Sequence, residues 1–413
     1  MTVTVVTDGG SSARRGKRPG TATRLQPAQS PLPPAPPTSV AVVEGIATGA
    51  PEQVIEQADA AARVAALFDD PQQRARIPRV YAKTRVLRRH LAIDPTSPEF
   101  EEFGRRPATI RERMRLYMEH ATPLAVDVAG RAIADAGVRA ADVGLLVFVT
   151  STGFVAPGVD VAIVQRLGLP RTVNRVVVNF MGCAAAMNGV QTASDYVRAH
   201  PDRKALVVCL ELSSVNAVFG GGQRGDGVRD VRADEIITHS LFGDGCGALV
   251  VGASEVQHQL PAGRIVLRQS FSHLFDDAED GIVLGVNDDG ITCELAESLP
   301  QYIRRGVAPV VAELLAGQDL SADDIDLWAI HPGGPKIIDQ SALSLGLHPS
   351  VADVSWDILA EYGNMLSVSL IFVLQEMARR AATSGGSGPL TGVAFSFAPG
   401  VTLEGVLFDL VRE

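Results

Sequence analysis

Two stretches of this chain share an order of apolar strand, glycine-containing loop, strand and helix. Ala141-Asp142-Val143-Gly144-Leu145-Leu146 matches Asp323-Asp324-Ile325-Asp326-Leu327-Trp328. Gly182-Cys183 and Gly363-Asn364 follow at nearly the same separation, each opening an apolar helical run. A Phe-containing turn closes each half, Phe242-Gly243-Asp244-Gly245 in one and Phe397-Ala398-Pro399-Gly400 in the other. Self-similarity of this kind signals a duplicated unit. A pseudo-twofold axis would bring the Cys183 and Asn364 helix starts together at the centre of the molecule.

Short β-rich runs alternate with longer amphipathic runs, which predicts an α/β layered fold. Residues 39–47, 143–150, 175–180, 205–212, 246–252, 263–271, 325–330, 391–397 and 401–411 read as strands. Residues 108–136, 159–167, 184–199, 299–315 and 367–382 read as helices, and 220–234 as an exposed loop. Residues 1–38 carry Arg14-Arg15-Gly16-Lys17-Arg18 and a proline run, and read as a disordered or polyproline-like tail. No apolar stretch follows the arginine pair, which argues against an export signal. No uninterrupted apolar run is long enough to span a membrane.

With 46% hydrophobic and 20% charged residues, the 413-residue chain can bury a large core. The net charge of −10 argues against nucleic acid as a partner. The four cysteines form no CxxC pair, so zinc and disulfide frameworks are not indicated, and reduced thiols in the cytoplasm are the simplest reading. No GxGxxG opens a helix after a strand, so no nicotinamide or flavin site is expected.

Cys183 follows a β-branched run, expected to be buried, and precedes an alanine-rich helix. A thiol at a helix start feels the helix dipole and unsatisfied N–H groups, which lower its pKa and suit a nucleophile; an inert buried cysteine is the alternative. His331 ends an apolar strand before Pro332-Gly333-Gly334-Pro335, whose loop backbone can approach a ligand closely, although it also fits a capped loop histidine. Asn364 fits an ordinary N-cap equally well. Together they supply what a thiolate and a developing oxyanion need: a neighbouring cation and hydrogen-bond donors. His239, before the Phe242 turn, reads as structural.

Over residues 39–413 the chain resembles the type III polyketide synthases, the chalcone-synthase-like branch of the thiolase fold, and most of all the actinobacterial makers of long-chain alkylpyrones. The resemblance rests on Val178-Asn179-Phe180-Met181-Gly182-Cys183-Ala184-Ala185, Ser240-Leu241-Phe242-Gly243-Asp244-Gly245, Ala329-Ile330-His331-Pro332-Gly333-Gly334-Pro335 and Tyr362-Gly363-Asn364-Met365. It implies a duplicated thiolase-like fold of five αβαβα layers, with halves over 39–262 and 263–413. It also implies Cys183 as acyl-carrying nucleophile, His331 as its ion-pair partner, and His331 with Asn364 as donors to the malonyl-CoA thioester carbonyl. Phe242 takes the gatekeeper position. Arg76, Arg79 and Lys83 fall where the family grips CoA phosphates; read by spacing alone they fit a solvated helix face.

Several positions depart from the family pattern. Cys293 replaces a second, aromatic gatekeeper, and Leu366 replaces a small polar residue. Ser396 and Ala398 flank Phe397 where the family has glycines, so any positive φ there would be strained. Small residues at Thr152, Ala156 and Ser213 are expected to open a tunnel for a fatty acyl chain, Ala156 also lying near a subunit contact. About ten buried methylenes at roughly 0.8 kcal/mol each would favour a long starter by several kcal/mol. The resemblance thus implies a homodimer that condenses a long-chain acyl-CoA with two or three malonyl-CoA units to alkyl α-pyrones. It needs no cofactor beyond its coenzyme A thioester substrates. An alkylresorcinol synthase, a β-ketoacyl-ACP synthase III-like enzyme and a non-catalytic lipid-binding scaffold are the alternatives.

Overall fold

The computed structural model describes residues 39–412 except 67, 69, 95, 96, 98–107, 218–235, 237, 238, 256–259, 288, 289, 384 and 387. The tail expected over 1–38 and the loop expected over 220–234 lie outside the described residues.

The strands are β1 (Ser39–Gly49), β2 (Val54–Glu56), β3 (Arg88–His90), β4 (Val143–Thr150), β5 (Asn174–Asn179), β6 (Lys204–Leu212), β7 (Asp244–Glu255), β8 (Ile265–Leu274), β9 (Ile282–Asn287), β10 (Gly290–Leu295), β11 (Leu327–Ile330), β12 (Leu390–Ala398) and β13 (Thr402–Leu410). Among the described residues the α-helices are α1 (Gln57–Ala66), α2 (Pro71–Lys83), α3 (Ile110–Ala136), α4 (Val159–Leu167), α5 (Ala185–Ala199), α6 (Leu299–Ala316), α7 (Pro335–Ser344), α8 (Asp353–Tyr362) and α9 (Ser369–Thr383).

Nine strands form one mixed sheet in the order β11-β12-β13-β8-β1-β7-β6-β4-β5. The antiparallel β1–β8 pair joins two related wings. In one, β4 and β6 are parallel and β7 runs against β6; in the other, β11 and β12 are parallel and β13 runs against β12. The turns before β4 and β11 repeat as well, with Asp142 and Asp324 accepting from the backbone N–H groups of Arg139 and Ser321.

Side-chain alternation shows the layering. From β4, Leu145, Val147 and Val149 enter a core shared with α5 and α9, while Leu146 and Phe148 face a second core with α3 and α4. From β12, Ala394 enters the shared core, while Val393, Phe395 and Phe397 face a third with α6 and α7. The two wings of the one sheet therefore serve as two layers, in the order helix, wing, helix, wing, helix, with α5 and α9 in the middle. Close packing of α5 requires Gly189, where a Cβ would lie 3.1 Å from both Val149 Cγ2 and Val207 Cγ1.

Three expectations are corrected. β5, expected to be buried, is an edge strand paired only with β4, and Val176 and Val177 are 37% and 50% exposed. Ser396 and Ala398 lie in β12 opposite Glu404 and Thr402, and neither has a positive φ; extended backbone accepts side chains there without strain. The repeat also has a different local register. The turn before α5 is Gly182–Ala184 and the turn before α9 is Leu366–Val368, so Ser367 is the counterpart of Cys183 and Asn364 lies just upstream.

Candidate active site

Cys183 sits in the short 3-10 turn Gly182–Ala184 at the head of α5. Gly182 has φ +62°, and its N–H donates to Ser151 Oγ at 3.1 Å. That left-handed residue ends the run of β5 and directs the chain into the middle layer. The Cys183 side chain is partly buried, and the nearby Asn364 side chain favours its thiolate form.

Asn364 is held on both sides. Its N–H donates to Leu241 O at 2.8 Å, and its carbonyl accepts from Gly243 N at 3.0 Å. Its Oδ1 accepts from Leu366 N at 2.9 Å, which leaves Nδ2 as the donor end, 3.4 Å from Gly333 O. The two readings of Asn364 both hold: the oxygen caps the turn before α9 while the amide faces the sulfur.

His331 follows β11, and its N–H donates to Phe395 O at 3.0 Å. The ring is 2% exposed, and neither ring nitrogen has a hydrogen-bond partner among the described residues. Leaving buried polar atoms unmet is costly, which points to a ligand as their partner. Gly333 permits the arrangement, since a Cβ there would lie 2.8 Å from His331 Cδ2 and 3.0 Å from Nε2. Asn364 thus bridges the Cys183 sulfur and the Gly333 carbonyl beside His331.

Burial governs the charges. It pushes the Cys183 thiol up, helped by Cys293 and Glu211 and opposed by the Asn364 hydrogen bond. The lowered thiol pKa expected from the helix start is therefore not found; desolvation outweighs the helix end. Burial likewise pushes His331 down to about 3 and Cys293 up to about 12. Each group alone is neutral near pH 7, so a thiolate can form here only together with an imidazolium.

Phe242 is 8% exposed and forms a parallel bridge with Asn364. Cys293 lies on β10 opposite Leu284, whose Cδ1 would be 3.6 Å from a Cβ at Gly182; the β9–β10 hairpin therefore borders the Cys183 turn. Leu366 is buried at φ +50°. Thr152 is buried, with its hydroxyl donating to Glu211 at 2.8 Å. Ser213 begins a 3-10 turn and its hydroxyl has no partner among the described residues. Ala156 is exposed beside Phe154 and Val155, and Phe397 packs with Phe395 in the core under α6 and α7. Arg76, Arg79 and Lys83 are exposed along α2, where no ion pair holds them among the described residues. A small apolar cavity of about 140 Å³ lies between α3, Phe154 and the β9–β10 hairpin, lined by Ile110, Met114, Val286 and Ile291 among others.

Glu211 was missed by sequence reasoning. It is fully buried at the end of β6 and accepts from Ser151 N, Thr152 Oγ1 and Ser367 Oγ. Burial raises its carboxyl to about 7 despite these donors. The signal was a lone acid in the apolar run Val207-Val208-Cys209-Leu210-Glu211-Leu212. The hairpin β9–β10 was also missed, although the sequence Asp288-Asp289-Gly290 contains an Asp-Gly hairpin signal.

Residues 37–255 match the chalcone and stilbene synthase N-terminal domain, and residues 266–412 match the corresponding C-terminal domain. The chain is 62% identical over 382 residues to the "alpha-pyrone synthesis polyketide synthase-like Pks18" of Mycobacterium tuberculosis, covering 92% of this chain and 94% of that protein. It is 30% identical to polyketide synthase 37 of Dictyostelium discoideum over 81% of this chain and 11% of that much longer protein. Among solved structures it is similar to PKS-I of the brown alga Ectocarpus siliculosus, with TM-score 0.82 and 37% identity over 91% of this chain and 99% of that one. It is also similar to the C-terminal type III polyketide synthase domain of Steely1 from Dictyostelium, with TM-score 0.79 and 28% identity over 90% and 99%. The fold, the paired domain matches and the relatives agree: the chain belongs to the chalcone and stilbene synthase family, the type III polyketide synthases.

Proposed function

We propose that this enzyme is an acyltransferase that loads a long-chain fatty acyl group onto Cys183 and extends it with two or three malonyl-CoA units to alkyl α-pyrones. The observation that supports the reading is the Asn364 side chain, which favours the Cys183 thiolate and reaches the Gly333 carbonyl beside a buried His331 whose ring nitrogens have no partner among the described residues. The α-pyrone assignment of the mycobacterial relative supports the product class.

In the first step the Cys183 proton passes to His331 as sulfur attacks the acyl-CoA carbonyl. The tetrahedral intermediate collapses to the Cys183 thioester, and coenzyme A leaves with the proton. Malonyl-CoA then places its thioester carbonyl against His331 and Asn364 Nδ2. Cleavage of its carboxylate C–C bond releases CO2 and leaves an enolate whose oxygen these donors stabilise. The enolate carbon attacks the Cys183 thioester, the new C–C bond forms as the C–S bond breaks, and the chain passes to coenzyme A; the departing sulfur takes up a proton from water, which restores the neutral thiol for the next loading. Each further round returns the chain to Cys183 with loss of coenzyme A, and attack of an enol oxygen on the final thioester carbonyl closes the pyrone, the C–S bond breaking and the thiol leaving with the enol proton.

Phe242 would gate the passage between coenzyme A and the site, with Cys293 and Leu366 shaping the cavity and Phe397 backing it. Arg76, Arg79 and Lys83 would hold the CoA phosphates from their unpaired face of α2. Thr152, Ala156 and Ser213 would admit the acyl chain. The proposal includes halves over 39–262 and 263–413, reaction in the cytoplasm, and a homodimer. Edge strand β5, with Val176, Val177 and the neighbouring Phe154 exposed, is the apolar surface a second copy would cover. No described helix is long and apolar enough to cross a membrane.

The test is mass spectrometry of products from acyl-CoA starters of graded length with malonyl-CoA. Long-chain tri- and tetraketide pyrones are expected. Resorcinols would replace lactonisation by aldol closure, and a requirement for malonyl-ACP would overturn the reading. Ala156→Phe and Ser213→Phe are expected to shorten the preferred starter, and an unchanged preference in both would remove the tunnel. Light scattering of Val177→Lys is expected to show a monomer if β5 forms the dimer seam.

A further inference from the structure

We propose that Arg89 is a positioning residue that clamps the Phe242 gate and the Asn364 donor to the end of the basic helix α2, so that the CoA grip and the reacting site are set as one unit. The inference rests on the function proposed above.

Arg89 lies on the three-residue strand β3 and is 4% exposed. One guanidinium nitrogen, Nη1, donates to His239 O at 2.6 Å and to Phe242 O at 3.0 Å. Nε donates to Gln57 Oε1 at 3.1 Å. Gln57 in turn donates through Nε2 to Ser240 O at 2.6 Å and to Thr84 Oγ1 at 3.0 Å. Thr84 is the C-cap of α2, directly after Lys83. Two buried side chains therefore hold three carbonyls of the segment 239–242 and fasten that segment to α2.

The stem of Arg89 reaches the other side of the site. A Cβ at Gly363 would lie 3.1 Å from Arg89 Cγ and 3.2 Å from Cδ, and Gly363 has φ +69°. The next residue is Asn364, which exchanges backbone hydrogen bonds with Leu241 and Gly243. A shift of Arg89 therefore moves the gate and the donor together.

Energetics favour this role over simple core filling. A buried guanidinium loses much solvation, and a well-packed apolar side chain of similar volume is often as stable or more so. The planar fork does what an apolar chain cannot: it fixes several carbonyls in one geometry. Asp244, fully buried, supplies nearby negative charge, with Asp94 and Tyr81 also facing the cation.

The experiment compares wild type, Arg89→Met, Arg89→Lys and Gln57→Met in the full-length enzyme. CO2 released from malonyl-CoA is measured against C–C bonds formed, together with KM and kcat and a thermal melt. In Arg89→Met the stem against Gly363 is kept and the donors are lost. Condensation kcat is expected to fall roughly 10- to 100-fold, the usual cost of small misplacement of reacting groups. CO2 release should exceed condensation, while KM for malonyl-CoA stays near wild type because the basic face of α2 is intact. Arg89→Lys should recover part of the coupling, and Gln57→Met should show a weaker uncoupling in the same direction even if Arg89→Met fails to fold. Wild-type coupling in a folded Arg89→Met, or in Gln57→Met when Arg89→Met does not fold, overturns the positioning role alone. A wild type that forms no product from any acyl-CoA and malonyl-CoA overturns the function proposed above as well.

Discussion

In one half of the molecule the turn Gly182–Ala184 leads into α5 with Gly182 at φ +62°; in the other, Leu366–Val368 leads into α9 with Leu366 at φ +50°. Both helices run for 15 residues through the same core. The backbone was kept and the side chains diverged. Cys183 in the first turn carries a partly buried thiol close to Asn364. Its counterpart Ser367 donates to Glu211, a carboxylate that also influences the Cys183 thiol. One copy carries the reacting group, and the other anchors the polar cluster behind it.

Replacing the thiol breaks the comparison most severely. Cys183→Ala makes the first turn as unreactive as the second, and condensation is expected to fall by roughly 10³-fold or more. Malonyl-CoA decarboxylation should survive, because the donors proposed for it are His331 and Asn364. Radiolabelled CO2 release without pyrone formation is the expected result; full condensation would remove Cys183 from the mechanism. Asn364→Ala should then lower decarboxylation itself by about 10²–10³-fold, the usual cost of losing one oxyanion donor. Loss of condensation without loss of CO2 release in that variant would reassign Asn364 to the thioester alone.

Gly182→Ala probes the shared backbone. Leu366 shows that a side chain can occupy this conformation when its surroundings hold it, but at Gly182 a Cβ would also lie 3.0 Å from Pro399 Cδ. The left-handed backbone costs about 1–2 kcal/mol for a non-glycine residue, so the melting temperature should drop by a few degrees. An unchanged melt would mean that the turn relaxes freely.

The strands and central helices were legible because period and composition agreed with their final place. Residues 143–150 were expected as a strand and form β4, and the helix expected over 184–199 is Ala185–Ala199. The turns that carry Cys183, His331 and Asn364 were legible through the glycines beside them. What sequence hid was environment. The apolar run Val176-Val177-Val178 reads as buried, yet it lies at a sheet edge, because period cannot tell a core strand from an exposed edge strand. Helix-end electrostatics suggested an acidic thiol, but desolvation depends on what closes over the turn. Arg89 resembled its charged neighbour Arg88, and only the tertiary meeting of β3 with residues 239–242 and 363 separates them. The repeat register was misread for a similar reason: Gly363 resembles Gly182 in type, while Leu366 matches it in conformation.

A last effect concerns Glu211 and the pH dependence of folding. Its carboxyl is raised from 4.5 to about 7, so between those values the folded chain holds a proton that the unfolded chain releases. Stability from this group therefore falls as pH rises across that window. His331 acts in the opposite sense, being lowered from 6.5 to about 3, so its contribution is lost as pH falls through that range. Glu211→Gln removes only the first slope. The difference in unfolding free energy between variant and wild type should shift in the variant's favour by up to about 3 kcal/mol from pH 4.5 to 7.5. Its absolute value can still be negative, since an amide cannot accept from Ser151, Thr152 and Ser367 as a carboxylate does. A difference independent of pH would show that Glu211 is ionised throughout. The Ser367 turn would then anchor a buried charge, and the silent copy would contribute a fixed field at the thiol of the active one.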